Sequence, residues 1–379
     1  MLKNCLLLFT VFLFFFNCDK KLKIKESSFV DSFGGFNNVF FVKKNSGGYI
    51  LNDLIIVPEK KTLIIDNGVQ IKIKNGGGII NNGVLIFGQN KKNDSIFFYN
   101  SDFFNSASYV YNVSIKSKKN SFSIFGNGDL FFYGAFLKNT SINYSGDVKF
   151  YNSLFVDSDV ILDSSRFFVE NSFFEKNKIL INNSIFNVNN SLFINSSEFF
   201  YINNSKNILI NNCFIFNNKG FVFDGVFGGN ILNNVFFKNK KSIDFNKKNR
   251  GFFKIYNNLI IENSIVINRS DSSNLFLLNN TFDRNNFVIN SSINYKSIIS
   301  KNNIFSYNDS INNFISHSYC LSNTDILSGY FNIYSDPLFI DITNYNYDLD
   351  NGSKARRSGN NNINLGANIK HIYYNKYLK

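Results

Sequence analysis

The feature of this chain that most restricts its fold is a seven-residue pattern that recurs at short intervals. The pattern reads Asn, then Asn or Ser, any residue, Phe or Ile, any two residues, and finally Asn or Ser. Eight copies, spaced by 19 to 24 residues, begin at positions 152, 171, 190, 211, 233, 257, 279 and 302. A repeat of this length is typical of a solenoid, in which each repeat forms one coil.

The composition favours strands rather than helices inside these coils. The chain has 47 Phe and 19 Tyr but only four alanines and two prolines, and aromatic residues prefer strands. Leucine-rich repeats have a similar period, but the regular leucines and the helical segment are missing. We therefore predict an all-β chain, a single-stranded parallel β-helix with two or three short strands in each coil.

The regular spacing of residues within the repeat also predicts which side chains fill the interior. The fourth pattern position should form a stack of side chains from Phe155, Phe174, Phe193, Phe214, Phe236, Ile260, Phe282 and Phe305. The flanking asparagines suit the bends, because Asn tolerates the left-handed backbone region, and stacked Asn side chains can bond to one another. Cys213 stands at an apolar position of its copy, which predicts a small packing role. Cys320 lies at least four repeats away, about 19 Å at the usual strand spacing, so the two should not form a disulfide.

Two segments carry a resemblance to a known family. Residues 54–98, with their Lys-Thr-Leu, Gly-Val and Gly-containing turns, resemble the opening coils of secreted bacterial β-helix proteins. Residues 335–367, with Asp-Pro-Leu-Phe, Gly-Ser and Gly-Ala elements, resemble the closing motif of the same proteins, although Lys354 and Asn364 replace the usual Pro and Asp. The chain thus resembles the pectin-lyase-like superfamily. The resemblance implies a right-handed parallel β-helix, a fold that carries lyases, hydrolases and adhesins alike.

The N-terminus predicts export. The stretch MLKNCLLLFTVFLFFFNC has the length of a signal segment rather than of a bilayer-spanning helix. Its end at Cys18 resembles a bacterial lipoprotein signal; an uncleaved anchor and ordinary secretion are the alternatives. We predict a signal peptide at 1–17, a lipid-anchored tether and N-terminal cap at 18–48, about a dozen coils at 49–330 and a C-terminal cap and tail at 331–379. The expected location is the outer membrane, facing the periplasm or the cell surface.

The net charge of +13 favours an anionic partner, such as an acidic polysaccharide. Recognised nucleic-acid motifs are missing from the sequence, so nucleic acid is not an expected partner. The predicted membrane contact is through the lipid anchor alone, and the expected state is a monomer.

Motifs for catalysis are sparse. The resemblance implies hydrolase motifs, of which only Asn323-Thr324-Asp325 is present, and this tripeptide is interpreted as a turn. The two histidines, His317 and His371, lie far from the regular coils in the repeat register. The sequence has no metalloprotease motif, no phosphate-binding loop and no closely spaced cysteine pair. No cofactor and no metal site are expected.

One constellation remains, at the sixth pattern position. In a parallel solenoid its members should form one column: Asp157, Lys176, Asn195, Phe216, Lys238, Glu262, Arg284 and Tyr307. One hypothesis is a groove for an acidic polymer, in which Lys176, Lys238 and Arg284 pair with carboxylates and Tyr307 offers a stacking face. A catalytic version would use Glu262 or Asp244 as the acid or base. The other hypothesis is a surface ladder of alternating charge that avoids like-charge contacts between coils.

These observations predict a non-catalytic binding or display rod at the cell envelope, with acidic polysaccharide as its ligand. The first alternative is a carbohydrate-active enzyme, a polysaccharide lyase or a glycoside hydrolase. The second alternative is a structural or adhesive surface protein.

Overall fold

A computed structural model describes most of the chain beyond its N-terminal segment. The described residues are 39–43, 49–51, 54–57, 60–65, 71–73, 78–87, 102–111, 114–116, 122–127, 129–246, 248–291, 297–312 and 315–369. The predicted signal peptide, Cys18, His371 and the end of the tail lie outside them. The chain divides into two compact units, Met1–Ile179 and Leu180–Lys379. Among the described residues, no helix is long and apolar enough to cross a membrane.

Unit 1 consists of short strands in parallel sheets. Its sheet 1 contains Val39–Val42, Leu54–Val57, Thr62–Ile65, Gly78–Phe87, Asp102–Tyr111, Asp129–Tyr133, Asp147–Tyr151 and Arg166–Glu170. Its sheet 2 contains Ser114–Lys116, Phe136–Lys138, Leu154–Val156 and Phe173–Glu175. Its sheet 3 contains Phe122–Asn127, Thr140–Ser145 and Asp159–Asp163. A separate pair is formed by Tyr49–Leu51 and Ile71–Ile73, and Lys178–Asn182 has residues in both units.

Unit 2 repeats the same three-sheet arrangement. Its sheet 1 contains Ile185–Asn189, Lys206–Asn211, Gly229–Leu232, Phe252–Tyr256, Asn274–Leu278, Ile298–Lys301, His317–Ser318 and Gly329–Tyr330. Its sheet 2 contains Leu192–Ile194, Phe214–Phe216, Val235–Phe237, Leu259–Ile261, Thr281–Asp283, Ile304–Ser306, Leu321–Ser322 and Ile333–Tyr334. Its sheet 3 contains Phe200–Asn203, Phe221–Asp224, Lys241–Phe245, Ile265–Arg269 and Phe287–Ser291.

In both units, each regular coil gives one strand to each sheet, and neighbouring strands are parallel. In sheet 2, for example, Phe236 pairs with Ile215 of one coil and with Ile260 of the next. Side chains alternate between the interior and the outer surface, as they must along a strand; in Phe252–Tyr256 only the second and fourth residues are buried. The predicted all-β parallel solenoid is confirmed. Its right-handed sense and the number of coils stay predictions.

Within each unit, the apolar stack in the interior is confirmed except at one coil of unit 2. Phe282 and Phe305 lie parallel, with ring centroids 5.1 Å apart, and both are fully buried. The assignment of Phe214 to this stack is wrong, because Phe214 pairs with Val235 and Ile215 takes the stack position. The physical reason is a register shift between Ile185–Asn189 and Lys206–Asn211. This shift moves the repeat copy one residue towards the C-terminus.

Asparagines at the second pattern position form a hydrogen-bonded ladder inside unit 2. The backbone N–H of Asn234 donates to Oδ1 of Asn258, and the N–H of Asn258 donates to Oδ1 of Asn280, both at 2.9 Å. Cys213 donates its N–H to Asn234, so this cysteine belongs to the ladder and not to an apolar position as predicted. Cys320 holds the equivalent place and accepts from the N–H of Asn303 at 3.4 Å. Both cysteines are buried and carry free thiols.

Three corners connect the sheets, and each contains a residue in the left-handed region. We call the corner between sheets 1 and 2 of unit 2 corner A, which holds Asn190, Asn212, Asn233, Asn257, Asn279, Asn302, Tyr319 and Phe331. We call the corner between sheets 2 and 3 of unit 2 corner B, which holds Asn195, Asn217, Lys238, Glu262, Arg284 and Tyr307. In the third corner, Asn204 and Gly225 have positive φ. Asn accepts this conformation at low cost, since its short side chain bonds locally.

The C-terminal segment 335–369 folds back along the outer face of sheet 2. It contains the antiparallel strands Phe339–Asp341 and Asn346–Leu349 and the 3₁₀ helices Ile342–Asn344 and Asn360–Asn362. Its residues Gly366, Ala367 and Asn368 donate backbone N–H groups to Asn302, Thr281 and Asn257, respectively. All three residues of Leu259–Ile261 are therefore buried, whereas the outer residues of Leu154–Val156 in unit 1 are only half-buried.

Candidate functional site

The structure brings Lys238, Glu262 and Arg284 together on successive coils, at the positions that the repeat register predicts. Their side chains project from corner B, where φ lies between 52° and 54° for all three. The predicted column needs one correction, since Asn217 and not Phe216 has the left-handed backbone of this position. The cause is the same register shift that displaces Phe214.

Corner B differs chemically from corner A, although the two backbones are alike. Corner A has Asn, the residue that the left-handed conformation favours, in six successive coils, and Tyr319 and Phe331 in the last two. Corner B instead has Lys238, Glu262, Arg284 and Tyr307 in four successive coils, and each of these bears a left-handed conformation that costs roughly 1 kcal/mol without glycine or asparagine. Backbone geometry alone therefore does not favour these four side chains.

Glu262 lies between two cations. Its Oε2 is 3.5 Å from Nζ of Lys238, and its Oε1 is 3.1 Å from Nη1 of Arg284. The Lys238 side chain is 50% exposed, whereas that of Glu262 is 23% exposed. The ammonium of Lys238 also lies 4.8 Å from the centre of the Phe237 ring. Lys238 is thus the most exposed member of this trio, since the Arg284 side chain is 34% exposed.

Arg284 is also held by groups other than Glu262. Its Nε lies 2.7 Å from Oδ2 of Asp283, and its Nη2 donates to the hydroxyl of Tyr347 at 2.9 Å. The hydroxyl of Tyr347 in turn donates to Asp283 at 2.7 Å. Burial, followed by the nearby charge of Asp283, raises the pKa of Tyr347 well above its usual value, so the phenol keeps its proton. Tyr345 adds a ring 5.8 Å from the guanidinium. Arg284 therefore has three protein partners, Asp283, Glu262 and Tyr347, although its side chain is still 34% exposed.

A groove in unit 2 opens beside Lys238. Its volume is about 460 Å³. Its basic side chains are Lys219, Lys238 and Lys240, and its acidic side chain is Glu262. The remaining walls are amides and hydroxyls, from Asn195, Ser196, Ser197, Asn217, Asn218, Asn239 and Ser264. The groove is thus a polar surface with a positive charge excess.

Within this groove, Asn217 donates from Nδ2 to Oδ1 of Asn195 at 2.9 Å, and both lie on corner B. Amide groups held side by side in this way present donors and acceptors at fixed positions. Such groups match hydroxyls of a sugar chain as well as carboxylates.

An aromatic pair stands next to the groove. The rings of Phe199 and Tyr201 are 5.9 Å apart. Lys219 and Lys241 place their ammonium groups 5.6 Å and 6.0 Å from the Phe199 ring. Sequence reasoning missed Phe199, Tyr201 and Lys219. Lys219 could have been noticed in the sequence, because it directly follows Asn218. Asn218 is the seventh residue of its repeat copy once the copy begins at Asn212.

The other predicted site residues lie apart from this groove. Tyr307 is 46% exposed, and its hydroxyl donates to Asp336 at 2.9 Å; that hydrogen bond, with burial, raises its pKa. Asp244 is nearly buried in sheet 3, where Lys241 and Asn268 bond to its carboxylate at 3.0 Å and 2.7 Å. Lys176 belongs to unit 1, where its ammonium lies 3.9 Å from Glu175.

Segment 238–254, which is rich in lysine, contains the strand Lys241–Phe245 and the start of Phe252–Tyr256. Lys240, Lys248 and Arg250 of this segment are exposed, and Lys240 lines the groove. Lys247 lies outside the described residues.

His317 does not lie far from the coils as predicted but inside one. Its Nδ1 is 2.8 Å from Oγ of Ser300, and its ring packs edge-on against Phe305 at 5.1 Å. Burial lowers its pKa to about 4, so the ring is neutral. Within the described ranges, no group of three or more His, Cys, Asp or Glu side chains could hold a metal ion.

No protein-family model matches this chain, and no curated protein does. Among solved structures, a double mutant of the periplasmic alginate epimerase AlgG is 14% identical, with a TM-score of 0.43, over 77% of this chain and 79% of that one. The bacteriophage CBA120 tailspike protein 3 is 11% identical, with a TM-score of 0.43, over 82% of this chain and 56% of that one.

The A-module of the mannuronan C-5 epimerase AlgE6 from Azotobacter vinelandii is 12% identical, with a TM-score of 0.32, over 75% of this chain and 94% of that one. With TM-scores below 0.5, these similarities assign no activity to this chain.

Proposed function

We propose that this protein is an exported, lipid-anchored β-solenoid that binds an acidic polysaccharide in the groove beside Lys238, without chemical change to the polymer. The observation that carries the proposal is the lining of the groove. Three lysines, Lys219, Lys238 and Lys240, line it together with one partly covered carboxylate, Glu262, and Lys219 also lies 3.9 Å from the exposed Glu198. The net charge of +13 adds a long-range attraction for polyanions.

The polar walls support a sugar ligand rather than a simple anion. Asn195 and Asn217 offer amide donors and acceptors to hydroxyl groups, and the half-buried rings of Phe199 and Tyr201 give an adjacent stacking surface. Lysine ammonium groups are strongly hydrated point charges. They suit a flexible polyuronate whose carboxylates meet them one by one.

Binding without catalysis is supported by the state of the two candidate carboxylates. Glu262 is engaged by Lys238 and Arg284, and Asp244 is engaged by Lys241. Both carboxylates thus have protein cations as their partners, which supports binding rather than acid–base catalysis.

The proposed location follows from the N-terminal sequence. An apolar run that ends at Cys18 supports export and lipid attachment at the outer membrane, with the solenoid in the periplasm or at the cell surface. Mass spectrometry of the membrane-extracted protein for a lipid on Cys18 tests this part separately.

The binding test compares charge-matched variants of the full-length chain in detergent. One variant replaces the groove lysines, as Lys219→Ala, Lys238→Ala and Lys240→Ala. The control replaces three exposed lysines elsewhere, as Lys178→Ala, Lys248→Ala and Lys354→Ala. Titration with polygalacturonate at low salt measures the affinity of each.

Each exposed ion pair contributes up to about 1 kcal/mol, and 1.4 kcal/mol is a factor of ten, so the groove variant should bind about 10- to 100-fold more weakly. The control should keep most of the affinity. Equal losses in both variants would mean nonspecific attraction and would contradict the proposed groove. New reducing ends or unsaturated products in the same samples would make the protein an enzyme.

A further inference from the structure

Corner B continues from the groove to the C-terminal segment through an unbroken series of charged contacts. Starting at the groove, Lys238 contacts Glu262, and Glu262 contacts Arg284. Arg284 then contacts Tyr347 of the C-terminal segment and Asp283, whose side chain is fully buried. The groove cation Lys238 is thus connected to a buried anchor through one shared carboxylate.

Glu262 is the natural competitor of any ligand carboxylate for Lys238. The two contacts of Glu262 are unequal, since the Arg284 contact is 3.1 Å and the Lys238 contact is 3.5 Å. A normal charged hydrogen bond is about 2.7–2.9 Å, so Lys238 is held loosely. Without Arg284, Glu262 would have one cation within reach and could close onto it.

We propose that Arg284 is a positioning residue, which holds Glu262 and thereby leaves the Lys238 ammonium available to the acidic polysaccharide. This inference rests on the proposed function. Arg284 can do this because its planar fork makes three contacts at once, to Asp283, Glu262 and Tyr347. A lysine at this position would carry the same charge on a single nitrogen and could not serve all three groups.

It follows that the C-terminal segment is part of the binding site and not only a cover. Tyr347 places its hydroxyl between Arg284 and Asp283. Tyr345 packs edge-on against Phe237 at 5.2 Å, and the same Phe237 ring lies under the Lys238 ammonium. Both tyrosines thus support the residues that set the position of Lys238.

The test is a double-mutant cycle with Arg284→Lys and Glu262→Gln in the full-length chain, titrated with polygalacturonate. Arg284→Lys conserves the net charge, so a change in affinity does not come from the overall field. We expect Arg284→Lys to weaken binding by about three- to tenfold, because one exposed pair is worth up to about 1 kcal/mol. Glu262→Gln should strengthen binding by a few-fold, and the double variant should match Glu262→Gln within about twofold.

Two further variants make the outcome specific. Arg250→Lys, at an exposed position outside the groove, controls for a charge-conserving exchange and should leave the affinity unchanged. Tyr347→Phe keeps the ring but removes the hydroxyl that fixes Arg284, and it should weaken binding in a way that Glu262→Gln reverses. Thermal unfolding shows whether each variant keeps its fold; if Arg284→Lys does not fold, Tyr347→Phe provides the cycle.

A loss in Arg284→Lys that Glu262→Gln does not reverse would overturn the positioning role. An unchanged affinity in Arg284→Lys, with the groove-lysine variant still impaired, would overturn it as well and leave the proposed function standing. A wild-type chain that fails to bind polygalacturonate at all would instead refute the proposed function.

Discussion

The interior asparagine ladders should make a single buried amide worth a measurable share of the stability of unit 2. Asn285 is 1% exposed and belongs to the ladder at the seventh pattern position. Its Nδ2 donates to the carbonyl of Ile260 and to Oδ1 of Asn308, both at 2.9 Å. Its Oδ1 accepts from the backbone N–H and the side-chain amide of Asn263, at 2.9 Å and 3.0 Å. The substitution Asn285→Ala removes all four bonds.

The expected cost can be worked out from these partners. The N–H of Asn263 is buried and loses the acceptor it uses, which costs about 1–3 kcal/mol for an unsatisfied group. The remaining bonds are shared with other partners, and their loss adds about 1 kcal/mol. We therefore expect Asn285→Ala to lower the free energy of unfolding by about 2–4 kcal/mol.

The assay is urea unfolding of the full-length chain, followed by circular dichroism and compared between two neighbouring positions. Asn286 is the same residue type, one place along the chain, but its side chain is exposed. Asn286→Ala should shift the unfolding midpoint little, because surface substitutions usually stay within about 0.5 kcal/mol. Asn285→Ser should lie between the two alanine variants. Ser158 in unit 1 holds the same ladder position and accepts the N–H of Thr140 through its Oγ at 3.2 Å. If Asn285→Ala unfolds at the same urea concentration as Asn286→Ala, the ladder does not stabilise unit 2 and the reasoning is refuted.

Two predictions concern other buried groups. Burial lowers the pKa of His317 to about 4, against about 6.5 in an unfolded chain. Below about pH 6.5 the unfolded chain therefore takes up a proton that the folded chain does not. The free energy of unfolding should then fall by up to about 3 kcal/mol as the pH approaches 4. His317→Gln should lack this part of the decline when unfolding is measured at pH 7.5 and 4.5, and an identical decline in both proteins would contradict the assignment. Burial raises the pKa values of Cys213 and Cys320 to about 12 and about 11, so both thiols should resist iodoacetamide at pH 8 until denaturant is added. Peptide mapping by mass spectrometry checks this, and rapid labelling of either cysteine in the folded chain would show that it is accessible.

The repeat pattern predicted the solenoid because each coil depends on residues that lie close together in the chain. Phe236, Phe282 and Phe305 are interior because each is the middle residue of a three-residue strand, a local property. The copy at 211 was misplaced because Asn211 and Asn212 both fit its first position. Only the register shift in sheet 1 decides between them, and that shift depends on pairing with the preceding coil.

The candidate site was predictable in part for the same reason. A common register was enough to place Lys238, Glu262 and Arg284 on successive coils. The role of Arg284 was not predictable, because Tyr347 is 63 residues away in sequence and reaches it only after the C-terminal segment folds back. Phe199 and Lys219 also escaped notice, since their contact joins positions outside the seven-residue pattern.

The most direct test of the central claim changes the ligand rather than the protein. Isothermal titration of the full-length chain would compare a polyuronate with the same polymer after its carboxylates have been reduced to alcohols. We expect binding to the polyuronate that weakens with added salt, because exposed charges are screened. Binding to the reduced polymer should be at least about tenfold weaker. Equal affinity for the two polymers would contradict the claim that the lysines of the groove recognise carboxylates.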